Sequence, residues 1–314
     1  MKIAVVGTGA MGSVYAGLLR DAGHEVWAID IWREHIEAIR SSGLRVSGAS
    51  GDRTVRLSAT TNAAEAGVCD HVIIATKAMD VETASRDAMV LIGAETTVVT
   101  IQNGLGSADK VSQVLGDRPL TIGVVGGFGA SIRAPGHAHH HGWHLVRFGE
   151  REGPVTPRVE QLAEIWRGAG FTVKAYDDIG RMIWEKLICN ACFSGTCAAT
   201  QLTVGEVMAN EDAWSVAQGL ASEAYAVARA IGIDLDFDDP VAHVTQFGKT
   251  IPGSRPSLAL DHLAGRRAEI DAINGAVTAE GRRAGVPTPC NDTVVALLKV
   301  REAGFAVVGG ATAQ

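Results

Sequence analysis

Apolar runs alternate with helix-like segments along the first half of the chain. Short runs of consecutive apolar residues are typical of strands buried on both faces of a sheet. Such runs occupy residues 3–6, 26–29, 72–76, 97–101 and 121–125. Helical periodicity between them, for example over residues 14–19, 34–40 and 80–92, predicts an α/β unit with a parallel, doubly wound sheet.

The pattern changes twice further along the chain. Residues 46–57 predict a hairpin, and residues 128–149 are rich in glycine and histidine, with strand-like pieces such as 144–148. We expect the latter stretch to extend the sheet as an antiparallel or edge addition. A helix over 159–168 and a strand over 171–175 precede a purely helical pattern over 183–194, 204–208, 213–231, 241–247, 266–284 and 291–300. The chain is therefore predicted to form an α/β domain over residues 1–177 and an all-α domain over residues 178–314.

Three glycines follow the first strand in the spacing G-x-G-x-x-G. Gly7 permits a tight strand-to-helix turn, Gly9 permits close approach of a pyrophosphate, and Gly12 lets the helix pack on the strand. The helix start, including Ala10 and Met11, presents N–H groups to the phosphates. Asp30 ends the second strand, where an acid bonds ribose hydroxyls in dinucleotide-binding folds. The pattern favours dinucleotide binding over a glycine-rich turn of purely structural use.

Bulk composition narrows the class of protein. A content of 46% hydrophobic and 20% charged residues is ordinary for a soluble globular protein, and a net charge of −7 argues against non-specific nucleic-acid binding. No apolar run approaches the roughly 20 residues that span a bilayer. The N-terminus enters a strand directly without a secretory pattern, so a cytoplasmic location without membrane association is expected.

Cysteine and histidine usage predicts neither disulfides nor a metal site. Five scattered cysteines do not form a disulfide framework, and the C-x-x-C of Cys189 and Cys192 suits two small residues on a helix better than zinc or redox chemistry. A histidine-rich stretch also lacks the spacing of a zinc motif. It comprises His137, His139, His140, His141 and His144.

Polar residues follow two of the predicted strands. Lys77 comes directly after the strand over 72–76, and Asn103 follows the strand over 97–101. Ligands of doubly wound sheets bind at the carboxyl ends of the strands. Lys77 is thus either a solvated surface residue or a contact for a cofactor phosphate or ribose. Asn103-Gly104 is either an ordinary turn or a turn whose asparagine bonds a ribose hydroxyl or a substrate oxygen.

The helical region carries a polar stripe on an otherwise apolar helix. Lys186, Asn190 and Ser194 are each four residues apart and therefore share one helix face. A lysine buried there would have a lowered pKa and could serve as a general acid. The alternative is the exposed edge of an ordinary helix. Glu269 could be its carboxylate partner, or Glu269 and Asp271 could simply be acids in a first helical turn.

Together these motifs resemble the ketopantoate reductase family, the 2-dehydropantoate 2-reductases. The resemblance rests on GTGAMG at 7–12, ATK at 75–77, QNG at 102–104, W-E-K-L-x-x-N at 184–190, R-P-S at 255–257 and EIDAING at 269–275. It implies a Rossmann-type doubly wound sheet followed by a helical domain like that of 6-phosphogluconate dehydrogenase. It also implies NAD(P)H-dependent reduction of a small 2-keto acid, ketopantoate, to pantoate in pantothenate biosynthesis.

The resemblance also implies roles for individual residues. Lys186 would protonate the ketone oxygen as hydride arrives, and Glu269 would bind and orient the substrate. Asn190 and Ser257 would contact the carboxylate or hydroxyl of the keto acid. Lys77 and Asn103 would contact cofactor and substrate. A cationic donor at the carbonyl oxygen fits the negative charge that reduction develops there.

Two positions depart from the family pattern. The family usually has a second asparagine where this chain has Ser194, and proline where it has Gly195, which widens the substrate pocket. Members that prefer NADP carry a basic residue at the end of the second strand, whereas Asp30 repels a 2′-phosphate and favours NAD, with Arg33 close enough to offset it in part. The family therefore indicates NADP, and Asp30 indicates NAD.

Other functions and an oligomer stay open at this stage. A D-mandelate-type dehydrogenase acting on bulkier 2-hydroxy acids is the nearest alternative, motivated by Ser194. A cofactor-binding regulator without turnover is the alternative of another class, although such a protein has no use for a proton donor such as Lys186. The alanine-rich helix over 213–231 could pack within its domain or against a second subunit of a homodimer.

Overall fold

Two structural units share the chain, and the chain crosses between them more than once. The computed structural model describes residues 1–127, 129–142 and 145–309, with side chains described through residue 305. One unit comprises residues 1–102 and 106–179, and the other comprises residues 103–105 and 180 onward. The short segment 103–105 thus belongs to the C-terminal unit although it lies in the first half of the sequence.

The strands of the N-terminal unit form two sheets. Within the described residues they are β1 (Lys2–Val6), β2 (Glu25–Ile29), β3 (Leu44–Gly48), β4 (Arg53–Val55), β5 (Ser58–Thr60), β6 (His71–Ile74), β7 (Thr97–Thr100), β8 (Leu120–Val125), β9 (Gly129–Ala134), β10 (His137–Gly142), β11 (Val146–Glu150) and β12 (Val173–Ala175). The larger sheet has the order β12-β11-β8-β7-β6-β1-β2-β5. Its neighbouring strands are parallel except β11, which is antiparallel to β8. The predicted parallel, doubly wound sheet is confirmed.

The smaller sheet differs from the prediction. Its order is β4-β3-β10-β9, so β9 and β10 do not extend the main sheet as expected, whereas β11 does. β9 and β10 pair antiparallel around Gly136 (φ +75°), and β10 then joins the edge of the hairpin strand β3 in parallel. The sequence pattern of β10 does not reveal which sheet it joins, because the edge of the main sheet and the edge strand β3 can each pair with a strand of this kind. The predicted strand start at His144 lies outside the described residues.

Helices cover the sheets of the N-terminal unit. They are α1 (Ala10–Asp21), α2 (Arg33–Ser42), α3 (Val81–Asp87), α4 (Ser107–Leu115) and α5 (Pro157–Gly168), with 3₁₀ turns at Ala63–Glu65 and Ala88–Leu91. The predicted helix over 80–92 is therefore an α-helix that tightens into a 3₁₀ turn. Helix α1 lies against the smaller sheet, since a Cβ at Gly17 would stand 2.5 Å from Val46 Cγ2. Tyr15 packs its ring 4.9 Å from that of Trp166 in the adjoining core.

The C-terminal unit is helical, as predicted. Its helices are α6 (Ile179–Thr200), α7 (Val204–Ala209), α8 (Glu211–Ala230), α9 (Pro240–Thr250), α10 (Ser257–Leu263), α11 (Asn274–Ala284) and α12 (Pro289–Gly309). The alanine-rich α8 buries Ala217, Leu220, Ala221 and Val227 within this unit. No helix in the described part of the chain is long and apolar enough to cross a membrane.

The predicted helix over 266–284 is wrong over residues 266–273. Residues 266–268 are irregular, residues 269–273 form a bend and turns, and α11 begins only at Asn274. Ile273 has a non-helical backbone (φ −103°, ψ −94°), and Ile270 and Ile273 are both buried. Glu269 and Asp271 consequently lie in an irregular segment and not in the first turn of a helix.

A buried polar network connects four helices of this unit. Asn274 Nδ2 of α11 donates to the Ala191 carbonyl of α6 at 3.0 Å and to Asn291 Oδ1 of α12 at 2.9 Å. Asn291 Nδ2 donates in turn to Glu223 Oε2 of α8 at 2.8 Å. Because Asn274 and Asn291 are fully buried, losing one partner would leave unsatisfied polar groups in the core. The network therefore fixes where α11 starts.

Candidate functional site

Each glycine of the loop after β1 has a distinct steric reason. Gly7 has φ +92°, and a Cβ there would stand 2.6 Å from the Thr76 backbone nitrogen. A Cβ at Gly12 would overlap the Gly7 carbonyl oxygen, whereas nothing lies within 4 Å of a Cβ at Gly9. Gly7 and Gly12 are thus required by the turn itself. The space at Gly9 leaves room for a ligand to approach the backbone.

The start of α1 has the features of an anion-binding site. Gly9 is the N-cap and provides no side-chain cap. The Ser13 N–H makes the first intrahelical bond, to the Gly9 carbonyl at 2.9 Å, so the N–H groups of Ala10, Met11 and Gly12 have no acceptor within the helix. Such N–H groups and the helix dipole attract phosphate.

Two charged residues lie near the carboxyl ends of β2 and β6, the strands on either side of β1. Asp30 follows β2 directly, and its Oδ1 accepts the Trp32 N–H at 3.0 Å. Lys77 is exposed and lies three residues beyond the end of β6, not immediately after it as predicted. Arg33 is exposed at the first position of α2. The structure therefore places Asp30 at the carboxyl edge of the sheet, the edge where ligands of doubly wound folds bind.

Gln102 fixes the end of β7 and was missed at the sequence level. Its Nε2 donates to the Ile74 carbonyl at 2.7 Å and to the Thr76 carbonyl at 3.1 Å. Its Oε1 accepts the Ile101 N–H at 3.2 Å. Gln102 thus ties the ends of β6 and β7 together immediately before the chain enters the C-terminal unit. The sequence feature that could have revealed Gln102 is its position between a buried strand and Asn103-Gly104.

The segment 103–105 docks on the irregular segment 269–273 within the C-terminal unit. The Leu105 N–H donates to the Ala272 carbonyl at 2.9 Å. Gly104 has φ +82°, and a Cβ there would overlap the Ala272 carbonyl oxygen. Only glycine permits this approach of two backbones. The contact brings two stretches of chain together that are far apart in sequence.

Asn103 contacts the lysine of the predicted polar stripe. Lys186 Nζ of α6 donates to Asn103 Oδ1 at 2.6 Å. Lys186 and Asn190 are half-buried, and Ser194 is only 3% exposed. Helix α6 is therefore not an exposed edge, and the stripe points into a partly enclosed environment. A cation held by an amide oxygen is a geometry in which an ammonium can present a further N–H to a substrate oxygen.

Of the other acidic and hydroxyl residues considered for the site, Glu269 is buried, whereas Asp271 and Ser257 are exposed. Glu269 is 8% exposed, and its backbone carbonyl accepts the N–H groups of Ala272 and Ile273 at 3.0 and 3.2 Å. The turn that carries Glu269 is thus the turn on which Gly104 docks. Asp271, by contrast, is exposed and forms an ion pair with Lys299 of α12. Ser257 is exposed and begins α10, so no single element carries the whole predicted set.

The cysteines and histidines take part in packing and local hydrogen bonds. Cys189, Cys192 and Cys197 are buried on α6, and burial raises the pKa of Cys189 to about 12. Ser47 Oγ bonds the rings of both His137 and His139. Among the described residues, no three His, Cys, Asp or Glu side chains are grouped so as to hold a metal ion, and His144 lies outside them.

Substitution of Gly104 tests the docking contact. We expect Gly104→Ala to lower the unfolding midpoint of the protein and to reduce kcat, because the new methyl group overlaps the Ala272 carbonyl and displaces Asn103 from Lys186. Gly106→Ala is the matched control: Gly106 also has positive φ (+87°), but nothing lies within 4 Å of its Cβ position. The control should cost only about 1 kcal/mol of backbone strain. Equal losses in the two variants, measured by urea unfolding and initial rates, would contradict the docking role.

Known proteins match both units of the chain. The family model described as "Ketopantoate reductase PanE/ApbA" matches residues 3–153, and the model described as "Ketopantoate reductase PanE/ApbA C terminal" matches residues 178–302. A curated relative from Archaeoglobus fulgidus, named 2-dehydropantoate 2-reductase, is 30% identical over 305 residues, which cover 97% of this chain and 99% of the relative.

Solved structures agree with the family models. A PanE/ApbA family ketopantoate reductase from Ralstonia eutropha superposes with a TM-score of 0.90 at 32% identity, covering 98% of this chain and 100% of that protein. A ternary structure of D-mandelate dehydrogenase with NADH and anilino(oxo)acetate also has a TM-score of 0.90, at 28% identity, covering 98% of this chain and 99% of that protein. The chain therefore belongs to the ketopantoate reductase family of oxidoreductases.

Proposed function

We propose that this protein uses a nicotinamide cofactor to reduce a 2-keto acid, and that the keto acid is 2-dehydropantoate, which yields pantoate. The observation that carries the proposal is the bond from Lys186 Nζ to Asn103 Oδ1 at 2.6 Å, which orients the cation at one end of the polar stripe on α6. The relatives named 2-dehydropantoate 2-reductase support the choice of substrate.

The chemistry assigned to Lys186 follows from the charge that develops during reduction. A nicotinamide cofactor held by the N-terminal unit would supply hydride for the carbonyl carbon, and the carbonyl oxygen would gain negative charge. Lys186 stabilises that oxygen and gives it a proton, while the bond to Asn103 Oδ1 keeps the ammonium oriented. A regulator without turnover would not need a proton donor at this position.

The remaining polar residues of the C-terminal unit are assigned to substrate binding. Glu269 accepts a hydrogen bond from the substrate and orients it, and the docked turn that carries it limits its movement. Asn190, one helical turn beyond Lys186, contacts the carboxylate of the keto acid, and Ser257 at the start of α10 supplies a further hydroxyl. Asn103 contacts both Lys186 and the reacting end of the substrate.

The glycine loop and the strand ends of the N-terminal unit are assigned to the cofactor. The N–H groups at the start of α1 bind the pyrophosphate, and Lys77 adds positive charge. Asp30 bonds the ribose hydroxyls and repels a 2′-phosphate, so we propose NADH as the preferred cofactor. Arg33 at the next helix start is the residue that could still accommodate NADPH.

A second candidate substrate follows from Ser194. It is 3% exposed on α6, two turns beyond Lys186, and its side chain is smaller than the asparagine that the family usually has there. A smaller residue leaves room for a bulkier keto acid. The similarity to a D-mandelate dehydrogenase supports this alternative.

Truncation of Lys186 tests the catalytic assignment. Lys186→Ala should lower kcat by about a hundredfold to ten-thousandfold, the range typical of a lost general acid, while the Kd for NADH changes little. Lys249→Ala, which removes an exposed lysine of α9 in the same unit, is the control and should keep the parent's kcat. A near-normal kcat for Lys186→Ala would make this lysine an ordinary helix residue.

Substitution of Asp30 tests the cofactor assignment. Asp30→Ala should raise the ratio of kcat/KM for NADPH to that for NADH by about fivefold or more, because it removes like-charge repulsion worth at least about 1 kcal/mol. Glu34→Ala removes an exposed acid four residues further on and should leave the ratio near that of the parent. An unchanged ratio in Asp30→Ala would mean that this carboxylate does not select the cofactor.

A substrate panel tests the keto acid itself. Initial rates with 2-dehydropantoate, benzoylformate and several branched 2-keto acids, each with NADH and with NADPH, should give the highest kcat/KM for 2-dehydropantoate. The Ser194→Asn variant should lose activity mainly on the bulkier acids, because it restores the larger side chain. If 2-dehydropantoate ranks last while benzoylformate ranks first, the second candidate replaces the first.

A further inference from the structure

A chain of hydrogen bonds runs from the smaller sheet to the glycine loop of the N-terminal unit. The Gly136 N–H, in the turn between β9 and β10, donates to His35 Nδ1 at 3.1 Å. The Nε2 atom of the same ring lies 3.1 Å from Ser13 Oγ of α1. Ser13 Oγ donates to the Thr8 carbonyl at 2.7 Å. Three elements are thereby linked to the middle of the G-x-G-x-x-G motif.

The direction of each bond in this chain is fixed. Because His35 Nδ1 accepts the Gly136 N–H, the proton of the neutral ring sits on Nε2 and is donated to Ser13 Oγ. The serine hydroxyl then uses its own hydrogen for the Thr8 carbonyl. His35 and Ser13 are fully buried, so neither can exchange these partners for water. Burial also lowers the pKa of His35, which keeps the ring neutral against the opposing effect of Asp30.

The last bond of the chain determines where a backbone donor points. In a trans peptide the C=O and N–H groups point in opposite directions. Holding the Thr8 carbonyl towards Ser13 therefore turns the Gly9 N–H away from Ser13. Nothing lies within 4 Å of the Cβ position of Gly9, so this region has space for a ligand.

One face of the histidine ring packs against the segment that carries Asp30. Trp32 stacks on His35, with ring centroids 4.9 Å apart and an angle of 15° between planes. The Trp32 N–H in turn donates to Asp30 Oδ1. His35 thus contacts Ser13, which bonds the glycine loop, and Trp32, which bonds Asp30. The glycine loop is assigned to the pyrophosphate and Asp30 to the ribose.

We propose that His35 is a positioning residue for the dinucleotide: acting through Ser13, it holds the Thr8–Gly9 peptide so that the Gly9 N–H donates to the pyrophosphate. The inference rests on the proposed cofactor binding and adds to it the residues that shape the site without touching the ligand. His35 takes no part in proton transfer to the substrate.

Alanine substitutions of two buried serines, Ser13 and Ser85, distinguish the positioning role from a general effect on packing. Ser13→Ala removes the link to Thr8, and the Kd for NADH measured by fluorescence titration should rise about three- to tenfold, as expected for one lost hydrogen bond. The KM for NADH should rise with it, with a smaller change in kcat. Ser85→Ala is the matched control, since Ser85 is equally buried in the same unit and donates to the Val81 carbonyl at 2.7 Å. Its Kd should equal that of the parent.

Two substitutions of His35 test separately the hydrogen bonds made by its two ring nitrogens. A glutamine at position 35 can place an N–H near the position of Nε2, whereas the shorter asparagine reaches only the position of Nδ1, where its Oδ1 can accept the Gly136 N–H. We expect His35→Gln to bind NADH more tightly than His35→Asn, even where the two variants have equal unfolding midpoints. Affinities that follow the unfolding midpoints of the two variants, or a Ser13→Ala variant with the parent's Kd, would overturn the inference.

Failure of the inference is distinguishable from failure of the proposed function. If the parent protein binds neither NADH nor NADPH, the proposed function is wrong. If the parent binds NADH and Ser13→Ala binds it equally well, only the positioning role is wrong. Because the titration contains no keto acid, neither result depends on the identity of the substrate.

Discussion

The candidate catalytic site depends on one close contact between two backbones. Gly104 meets the carbonyl of Ala272, and this places Asn103 against Lys186 and next to the turn that carries Glu269. Without it, Asn103 and the turn of Glu269 would lose their common contact, and Asn103 would not be held against Lys186. The contact requires a residue without a Cβ at position 104 and a non-helical segment around Ala272. The irregular backbone over 266–273 is therefore a requirement of the site.

Much of the fold could be predicted from the sequence because its signals are local. Buried runs such as β6 and β7 and the glycine loop after β1 are determined by residues next to each other in the chain. The start of α11 was missed because its cause is not local. Asn274 begins that helix through bonds to Ala191 and Asn291, which lie 83 and 17 residues away. The three-residue strand β5 was missed because so short a segment has no period to recognise.

The individual members of the site were predictable, but their contacts were not. A lysine on an apolar helix and an asparagine after a strand are each visible in the sequence, and motif resemblance joins them. Nothing in the sequence states that Lys186 bonds Asn103, which lies 83 residues earlier. Gln102 and His35 were missed for the same reason, since both act through backbone groups of distant segments. From the sequence alone, a histidine in the first turn of a helix cannot be distinguished from a surface residue, although His35 is fully buried.

The three cysteines of α6 give the helical unit an internal reporter of its own opening. Cys189, Cys192 and Cys197 are buried, and burial raises the pKa of each thiol, so the reactive thiolate is scarce at neutral pH in the folded protein. An alkylating reagent can therefore modify them only in molecules whose helix has separated from its neighbours. The rate of labelling at these three positions then reports the population of opened molecules without an engineered cysteine.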